Sequence, residues 1–283
     1  MSPPFELPRL SQARAPLTRE TLVLNEWGEE VFSTIPCERA LTIYVDKREL
    51  VTLMTLGGYP ELLVLGFLRN QRLVTCAGDV ESVTVDWEVG AAAVKTRKGI
   101  DQIAQRTARR VVTTGCGQGS IFGGLMDELE RIELPPTIFS QSQLYGIVNA
   151  IRSQESLYRQ AGSVHGCALF KGDEMLVFIE DVGRHNAIDS IAGWMSIKGL
   201  DGSDKVIYTT GRLTSEMVIK SAQMGIAIAV SRSGITEMGL ELAQRLGLCA
   251  IGRATHKRFL CYSAFERLQL QSELAGANLR VAA

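Results

Sequence analysis

Residues 205–252 read KVIYTTGRLTSEMVIKSAQMGIAIAVSRSGITEMGLELAQRLGLCAIG, and they decide the fold class. Three β-type runs, KVIYTT, IAIAV and LCAIG, alternate with two stretches of helical apolar spacing, EMVIKSAQMG and EMGLELAQRLG. Strands that alternate with helices of this length predict a largely parallel sheet covered by helices. We therefore predict an α/β layered architecture with a mainly parallel C-terminal sheet.

The flanking sequence extends this pattern in both directions. Residues 166–180 predict a hairpin that turns at KGDE, followed by the polar loop DVGRHN and a helix that ends near Gly199. Residues 140–161 predict one long helix between two halves of the chain. Upstream, residues 23–36, 41–56 and 82–96 predict extended segments, and Pro60 starts a helix over PELLVLGFLRN. The predicted organisation comprises four parts, which are a flexible arm (1–20), a smaller β-rich part (21–139), an α/β part (140–270) and a C-terminal tail (271–283).

Composition excludes several classes of partner. Lys and Arg number 30 against 31 Asp and Glu, so the net charge of −1 gives no bulk attraction to nucleic acid or to an anionic membrane. The first twenty residues hold four prolines and no apolar run, which is not typical of a signal peptide. The six cysteines lack paired spacing, as expected of reduced thiols. We expect a soluble, cytoplasmic protein without membrane spans.

Polar and basic side chains follow each strand of the predicted sheet. Ligands bind beyond the carboxyl ends of parallel strands, where loops and helix N-termini meet. Five arginines, a lysine and two histidines there would form a phosphate site. Alternatively, Ser, Thr and Asn are helix caps and the arginines form a solvated rim. The residues concerned are Asp181, Arg184, His185, Asn186, Arg212, Thr214, Ser215, Ser231, Arg232, Ser233, Thr236, Arg253, Thr255, His256, Lys257 and Arg258.

The segment TTGCGQGS, residues 113–120, places Cys116 between two glycines. Glycines leave the thiol uncrowded, and successive N–H groups in such a loop can lower the pKa of a thiol. The residues alone leave open whether Cys116 is a reagent or an incidental thiol in a glycine loop. The other five cysteines have mainly apolar neighbours, which predicts buried, inert thiols. P-loop, dinucleotide-fold and zinc-deaminase motifs all fail on spacing, so no metal site is predicted.

Four longer segments together resemble the formate dehydrogenase accessory proteins, the FdhD family of sulfurtransferases. They are ERALTIYVDKRELVTLMTLGGYPELLVLGFL (38–68), IEDVGRHNAID (179–189), TTGRLTSEMVIKSAQMGIAIAVSRSGIT (209–236) and LCAIGRATHKRFLCY (248–262). The resemblance covers roughly residues 20–268. It implies a cytidine-deaminase-like α/β fold without the deaminase zinc, and a homodimer.

The resemblance also implies a function. A cysteine of such proteins takes sulfur from a cysteine desulfurase as a persulfide. It passes the sulfur to the molybdenum bis(molybdopterin guanine dinucleotide) cofactor before that cofactor enters formate dehydrogenase. The family's C-G-x-C-G loop falls on CGQGS, so Cys116 corresponds to the carrier cysteine and Gly119 replaces the second cysteine. The implied cofactor-binding residues are Ala254, Thr255, His256, Lys257, Arg258 and Phe259, together with Arg184, His185 and Arg212.

Three functions remain open at this point. The first is persulfide transfer by Cys116, with sulfur released to the metal centre, to an external thiol or to a distant cysteine. The second is a chaperone that binds and delivers the molybdenum cofactor without transferring sulfur, since Gly119 replaces the second loop cysteine. The third is a bridge between desulfurase and dehydrogenase, which leaves the basic loops unexplained.

Overall fold

The computed structural model describes residues 5–100, 110–112, 120–122 and 132–274. It divides the chain into two compact units. Unit 1 comprises residues 1–126, 155–166 and 179–200, and unit 2 comprises residues 127–154, 167–178 and 201–283. Neither unit is one continuous stretch of chain.

Unit 1 is built on a five-stranded sheet of order β1-β6-β7-β4-β5. Its strands are β1 (Arg9–Leu10), β4 (Arg39–Val45), β5 (Arg48–Thr55), β6 (Val80–Asp86) and β7 (Ala91–Thr96). The extended segments predicted over 41–56 and 82–96 are confirmed, and they form the antiparallel hairpins β4–β5 and β6–β7. Two further antiparallel ribbons are β2 (Thr18–Leu24) with β3 (Glu30–Pro36), and β8 (Arg110–Val112) with β9 (Ser120–Phe122).

Three helices complete unit 1, and two of them cross closely. They are α1 (Pro60–Asn70), α3 (Leu157–Ala161) and α4 (Arg184–Lys198). Pro60 starts α1 and Gly199 ends α4 in a left-handed conformation with φ of 62°, as the sequence predicts. Gly66 of α1 and Gly193 of α4 allow the two helix backbones to approach, because a Cβ on either would lie within 2.0 Å of a backbone oxygen of the other helix.

Unit 2 contains a six-stranded sheet of order β12-β11-β13-β14-β15-β16. The strands are β11 (His165–Lys171), β12 (Glu174–Asp181), β13 (Lys205–Thr209), β14 (Ile228–Ser231), β15 (Cys249–Thr255) and β16 (Arg258–Cys261). The α/β class is confirmed, but only β13, β14 and β15 are parallel. Strand β11 pairs antiparallel with β13. Strand β16 also pairs antiparallel, with β15, because the two-residue turn that joins them can connect only antiparallel strands.

The helices of unit 2 are α2 (Gln141–Ser153), α5 (Ser215–Gln223) and α6 (Glu237–Leu246). Helices α5 and α6 follow β13 and β14, as predicted from the sequence. The apolar side of α2 packs into a buried cluster with the sheet through Leu144, Ile147 and Val148. A parallel pair, β10 (Phe139–Ser140) with β17 (Leu268–Gln269), joins the same cluster. Short 3-10 helices occupy Ala77–Asp79 in unit 1, and Phe265–Arg267 and Ser272–Leu274 in unit 2.

The single helix predicted over residues 140–161 is wrong. The chain forms α2 and α3, with extended backbone at Gln154 and at Ser156 between them. The carboxylate of Glu180 accepts the N–H groups of Leu157 at 2.6 Å and Tyr158 at 3.2 Å, and so caps a new helix start. The polar run SQES, 153–156, offers no apolar side chain to continue a buried stripe.

Candidate cofactor-binding site

Three loops of unit 2 meet at the carboxyl ends of β13, β14 and β15. The Arg232 N–H donates to the Thr209 carbonyl at 3.0 Å, and the Ser231 hydroxyl donates to the Gly211 carbonyl at 2.6 Å. The Arg253 N–H donates to the Ser233 carbonyl at 2.6 Å. These bonds connect each loop to the next, so the predicted convergence of polar loops exists on this edge of the sheet.

Each of the three loops presents one exposed arginine. They are Arg212 after β13, Arg232 after β14 and Arg253 within β15. Arg253 has φ of 51° and lies at a β-bulge between Gly252 and Thr255. A bulge redirects the side chains of an edge pair, which is a common device beside binding sites.

The predicted binding stretch 254–259 forms the turn between β15 and β16. His256, with φ of 52°, and Lys257 occupy the turn. Four side chains of the stretch are exposed, namely Thr255, His256, Lys257 and Arg258. The Tyr145 hydroxyl of α2 donates to the Lys257 carbonyl at 3.2 Å and so holds the turn.

The two remaining residues of the stretch face inward. Ala254 is 2% exposed and belongs to the core cluster. Phe259 is half-buried, and its ring meets that of Tyr145 edge-on with centroids 6.3 Å apart. Ala254 and Phe259 therefore anchor the turn, and the exposed side chains between them are the ones available to a ligand.

The charge at this edge is unbalanced. Arg212, Arg253, Lys257 and Arg258 are exposed, and none of the four makes an ion pair with another residue in the described part of the chain. Guanidinium and ammonium groups in this arrangement suit phosphate oxygens. We name this surface, Arg212, Arg253, Lys257 and Arg258, the basic edge.

The hydroxyl residues of these loops are mostly structural. Thr236 caps α6, because its Oγ1 accepts the Gly239 N–H at 3.3 Å. Ser231 Oγ accepts the Ser233 N–H at 2.9 Å and thereby shapes its own loop. Thr214 precedes α5 without a side-chain cap bond. The alternative interpretation of the sequence, helix caps, thus applies to Thr236, whereas the basic edge remains available for binding.

The DVGRHN loop lies in unit 1, and its polar groups are largely buried. Asp181 accepts hydrogen bonds from the Thr55 hydroxyl and the Leu56 N–H with one oxygen. Its other oxygen accepts from the Gly183 N–H and the Asn186 amide. Burial raises the pKa of the Asp181 carboxyl despite these bonds. Asp181 therefore ties the start of α4 to the end of β5.

The two basic residues of that loop, Arg184 and His185, are less exposed than the residues of the basic edge. Arg184 is 4% exposed and begins α4, and His185 is half-buried. Both belong to unit 1, whereas Arg212 and residues 254–259 belong to unit 2. Asn186 donates to the Met54 carbonyl at 2.7 Å, which adds to the structural role of the motif.

Cys116 and Gly119 lie outside the described residues. Of the other five cysteines, Cys167 and Cys249 are buried, as predicted, but Cys37, Cys76 and Cys261 are only half-buried. Sequence reasoning missed that Cys249 and Cys261 are neighbours, with their Sγ atoms 3.8 Å apart. The available signal was their position on the two strands that flank the turn at 256–257.

Within the described residues, no group of three or more His, Cys, Asp or Glu side chains could hold a metal ion. Nor does any helix of that part of the chain have the length and apolar character needed to cross a bilayer.

Comparison with known proteins identifies the family. The model of the FdhD/NarQ family matches residues 36–269, and the chain belongs to this family. It is 30% identical over 243 residues to the sulfur carrier protein FdhD of Listeria innocua, covering 85% of this chain and 93% of that protein. It is 31% identical over 234 residues to the sulfur carrier protein FdhD of Halalkalibacterium halodurans, covering 82% and 87%.

A solved structure agrees with these relatives. The crystal structure of a chain described as a formate dehydrogenase accessory protein, from Desulfotalea psychrophila, superposes with a TM-score of 0.73 at 27% identity. The match covers 90% of this chain and 100% of that one.

Proposed function

We propose that this protein is a sulfur carrier in the maturation of formate dehydrogenase. It takes sulfur from a cysteine desulfurase onto Cys116 and delivers it to the molybdenum bis(molybdopterin guanine dinucleotide) cofactor, which is its cargo. Membership of the FdhD/NarQ family and relatives named as sulfur carriers support the role. The basic edge supports this choice of cargo, because its exposed basic side chains can bind the phosphates of the cofactor.

The sulfur step at Cys116 is a thiol exchange. The Cys116 thiolate attacks the terminal sulfur of the desulfurase persulfide, a new S–S bond forms, and the desulfurase cysteine leaves as a thiolate. Attack requires the thiolate, and successive N–H groups in a glycine-rich loop can favour that form. The persulfide then has a terminal sulfur ready for a second transfer to the cargo.

The basic edge supplies the second half of the function. Its four charges extend from solvent-exposed positions on the loop after β13 and on the β15–β16 hairpin, so they can bind a dinucleotide along several phosphates. Charged hydrogen bonds to phosphate contribute about 1.5 to 3 kcal/mol each. The main-chain bonds between the loops fix the spacing of these side chains before the cargo arrives.

The carrier role is tested by sulfur labelling. The reduced protein is incubated with a cysteine desulfurase and cysteine, and persulfide is located by mass spectrometry in wild type, Cys116→Ala and Cys37→Ala. We expect labelling of wild type and Cys37→Ala, and its loss in Cys116→Ala. Equal labelling of all three, or of none, would show that Cys116 is not the carrier.

The cargo site is tested separately with guanosine diphosphate as the probe. The double variant Arg212→Ala/Lys257→Ala should bind at least about tenfold more weakly, since two charged contacts are lost. The matched control is Lys171→Ala, because Lys171 is an exposed lysine opposite Lys205 at the other end of β13. Unchanged affinity in the double variant would argue against the basic edge as the phosphate site.

A second function is favoured by one specific observation. Gly119 occupies the position of the second loop cysteine of the family, so a local thiol for sulfur release is missing. A chaperone that binds and delivers the cofactor without sulfur would need only the basic edge. Loss of dehydrogenase activity in the Arg212→Ala/Lys257→Ala variant, with full activity in Cys116→Ala, would support this second function.

A further inference from the structure

Two cysteines of unit 2 lie together on the β15–β16 hairpin, at the end that is farther from the turn at 256–257. Cys249 begins β15 and Cys261 ends β16, and their Sγ atoms are 3.8 Å apart. Cys261 lies opposite Ile251, which is two residues beyond Cys249 on β15. Alternate residues of a strand share a face, so both thiols point to the same side of the sheet as diagonal neighbours.

The two thiols have unequal access to solvent. Cys249 is completely buried, whereas Cys261 is half-buried on β16, the edge strand of the sheet. A reagent therefore meets Cys261 first. Cys249 can then react only with a sulfur atom that Cys261 already holds.

The local contacts also distinguish the two thiols chemically. A hydrogen bond from the Cys249 thiol lowers the pKa of Cys261, and the same bond together with burial raises the pKa of Cys249. The neutral Cys261 thiol has the Ser263 carbonyl oxygen at 3.5 Å, which is a long contact. Cys261 is thus the thiol that ionises and attacks, and Cys249 keeps its proton.

We propose that Cys261 and Cys249 form a second sulfur-handling site, in which Cys261 accepts sulfane sulfur and Cys249 resolves the resulting persulfide. The substrates are persulfides and polysulfides. The site is independent of Cys116 in chemistry, and it lies two residues beyond Phe259, the end of the candidate cofactor-binding stretch.

The reaction needs no other oxidant. The Cys261 thiolate attacks the terminal sulfur of a persulfide RSSH, forms Cys261–S–SH and expels RS⁻, which takes up a proton. The Cys249 sulfur then attacks Sγ of Cys261 and breaks its bond to the terminal sulfur, the Cys249 proton passes to the departing HS⁻, the Cys249–Cys261 disulfide forms, and H₂S leaves. The two thiols are oxidised and the sulfane sulfur is reduced. Disulfide formation requires the two Sγ atoms to close from 3.8 Å to about 2.05 Å, which two side-chain rotations can share.

The consequence concerns the turn at 256–257. A disulfide between β15 and β16 closes the hairpin that presents Lys257 and Arg258 of the basic edge.

The test uses the full chain with Cys116→Ala, so that sulfur bound at Cys116 cannot contribute. The result therefore does not depend on whether Cys116 is the sulfur carrier. Reduced protein is treated anaerobically with sodium tetrasulfide, alkylated and digested without reduction. Trypsin cleaves at Arg253, Lys257 and Arg258, so a 249–261 disulfide joins two distinct peptides. We expect this linked pair, with H₂S released in parallel.

Two further variants in the same background identify the roles. With Cys249→Ala, or with Cys249→Val if the alanine variant does not fold, Cys261 should retain an added sulfur atom and no linked pair should form. With Cys261→Ser, Cys249 should be modified at least tenfold more slowly than Cys261 is in the Cys116→Ala protein, which is the parent of these variants. Cys37 and Cys76 serve as internal references, since both are half-buried.

Three results would overturn the proposal. The first is an absence of both the linked pair and added sulfur on Cys261. The second is sulfur that stays on Cys261 in the parent with no linked pair, which excludes resolution by Cys249. The third is modification of Cys37, Cys76 and Cys261 at equal rates, which marks Cys261 as an ordinary thiol.

Discussion

The close crossing of α1 and α4 predicts a large effect of a single methyl group. In Gly66→Ala the new Cβ would lie 1.7 Å from the backbone oxygen of Asp189, whereas ordinary contacts are 3.4–4 Å. The obstructing atoms are backbone, so no side chain can rotate away. The helices would have to separate by about 1.7 Å, which is overpacking of a buried interface.

The magnitude follows from three contributions. Overpacking costs about 1 to 3 kcal/mol, and here the upper end applies because rigid backbone is displaced. Separation also breaks the buried hydrogen bond from the Asn70 amide to the Asp189 carboxylate, 2.7 Å long, which contributes about 1 kcal/mol. Alanine regains about 1 kcal/mol in helix propensity. The net loss in free energy of unfolding is about 3 kcal/mol, or roughly 6–12 °C in Tm.

The assay is thermal unfolding followed by circular dichroism, with Gly58→Ala as the matched control. A Cβ on Gly58 would meet only Leu17 side-chain atoms, the nearest at 3.7 Å. We expect Gly58→Ala to shift Tm by no more than about 2 °C, as surface substitutions do. Equal Tm values for Gly66→Ala and Gly58→Ala would refute the close crossing.

Two further predictions concern stability. The raised pKa of Asp181 means that its ionised form opposes folding. The free energy of unfolding of wild type, measured by chemical denaturation, should therefore increase relative to that of Asp181→Asn as pH falls from about 7 to about 4. A difference between the two proteins that stays constant with pH would contradict this. Thr236→Ala should lose about 1 kcal/mol in the same measurement, because a helix cap is removed. Thr214→Val should lose less, since the Thr214 hydroxyl is buried with no hydrogen-bond partner among the described residues. The reverse order would contradict the capping assignment.

Local signals allowed the helices and hairpins to be predicted from sequence. Pro60 and Gly199 mark helix ends because each residue fits one backbone conformation at that position. The alternation of strands and helices over residues 205–252 predicts β13 to β15 with α5 and α6. These features depend on neighbours in the chain, which a sequence displays directly.

Features that join distant residues could not be predicted. Asn70 and Asp189 are 119 residues apart, and nothing local indicates that Gly66 lies against Asp189. The break between α2 and α3 depends on Glu180, which caps Leu157 from another element. Within 140–161 the polar run 153–156 interrupts the apolar pattern, but the cap that starts α3 could not be predicted from that segment.

The candidate site was predictable in part. The exposed residues of the 254–259 turn and Arg212 follow from strand ends and charge, whereas the inward placement of Ala254 and the burial of Arg184 depend on packing. The Cys249 and Cys261 pair depends on the register of β15 against β16. A register is set by the bulge at Gly252, which sequence periodicity does not reveal.

The most direct test of the sulfur-carrier function follows the atom itself. Cysteine with radiolabelled sulfur is supplied to the desulfurase, this protein and the molybdenum guanine dinucleotide cofactor, and the label on the re-isolated cofactor is counted. We predict label on the cofactor with wild type, none with Cys116→Ala, and a strong reduction with Arg212→Ala/Lys257→Ala. A fully labelled cofactor with Cys116→Ala, or an unlabelled one with wild type, would contradict sulfur transfer through Cys116.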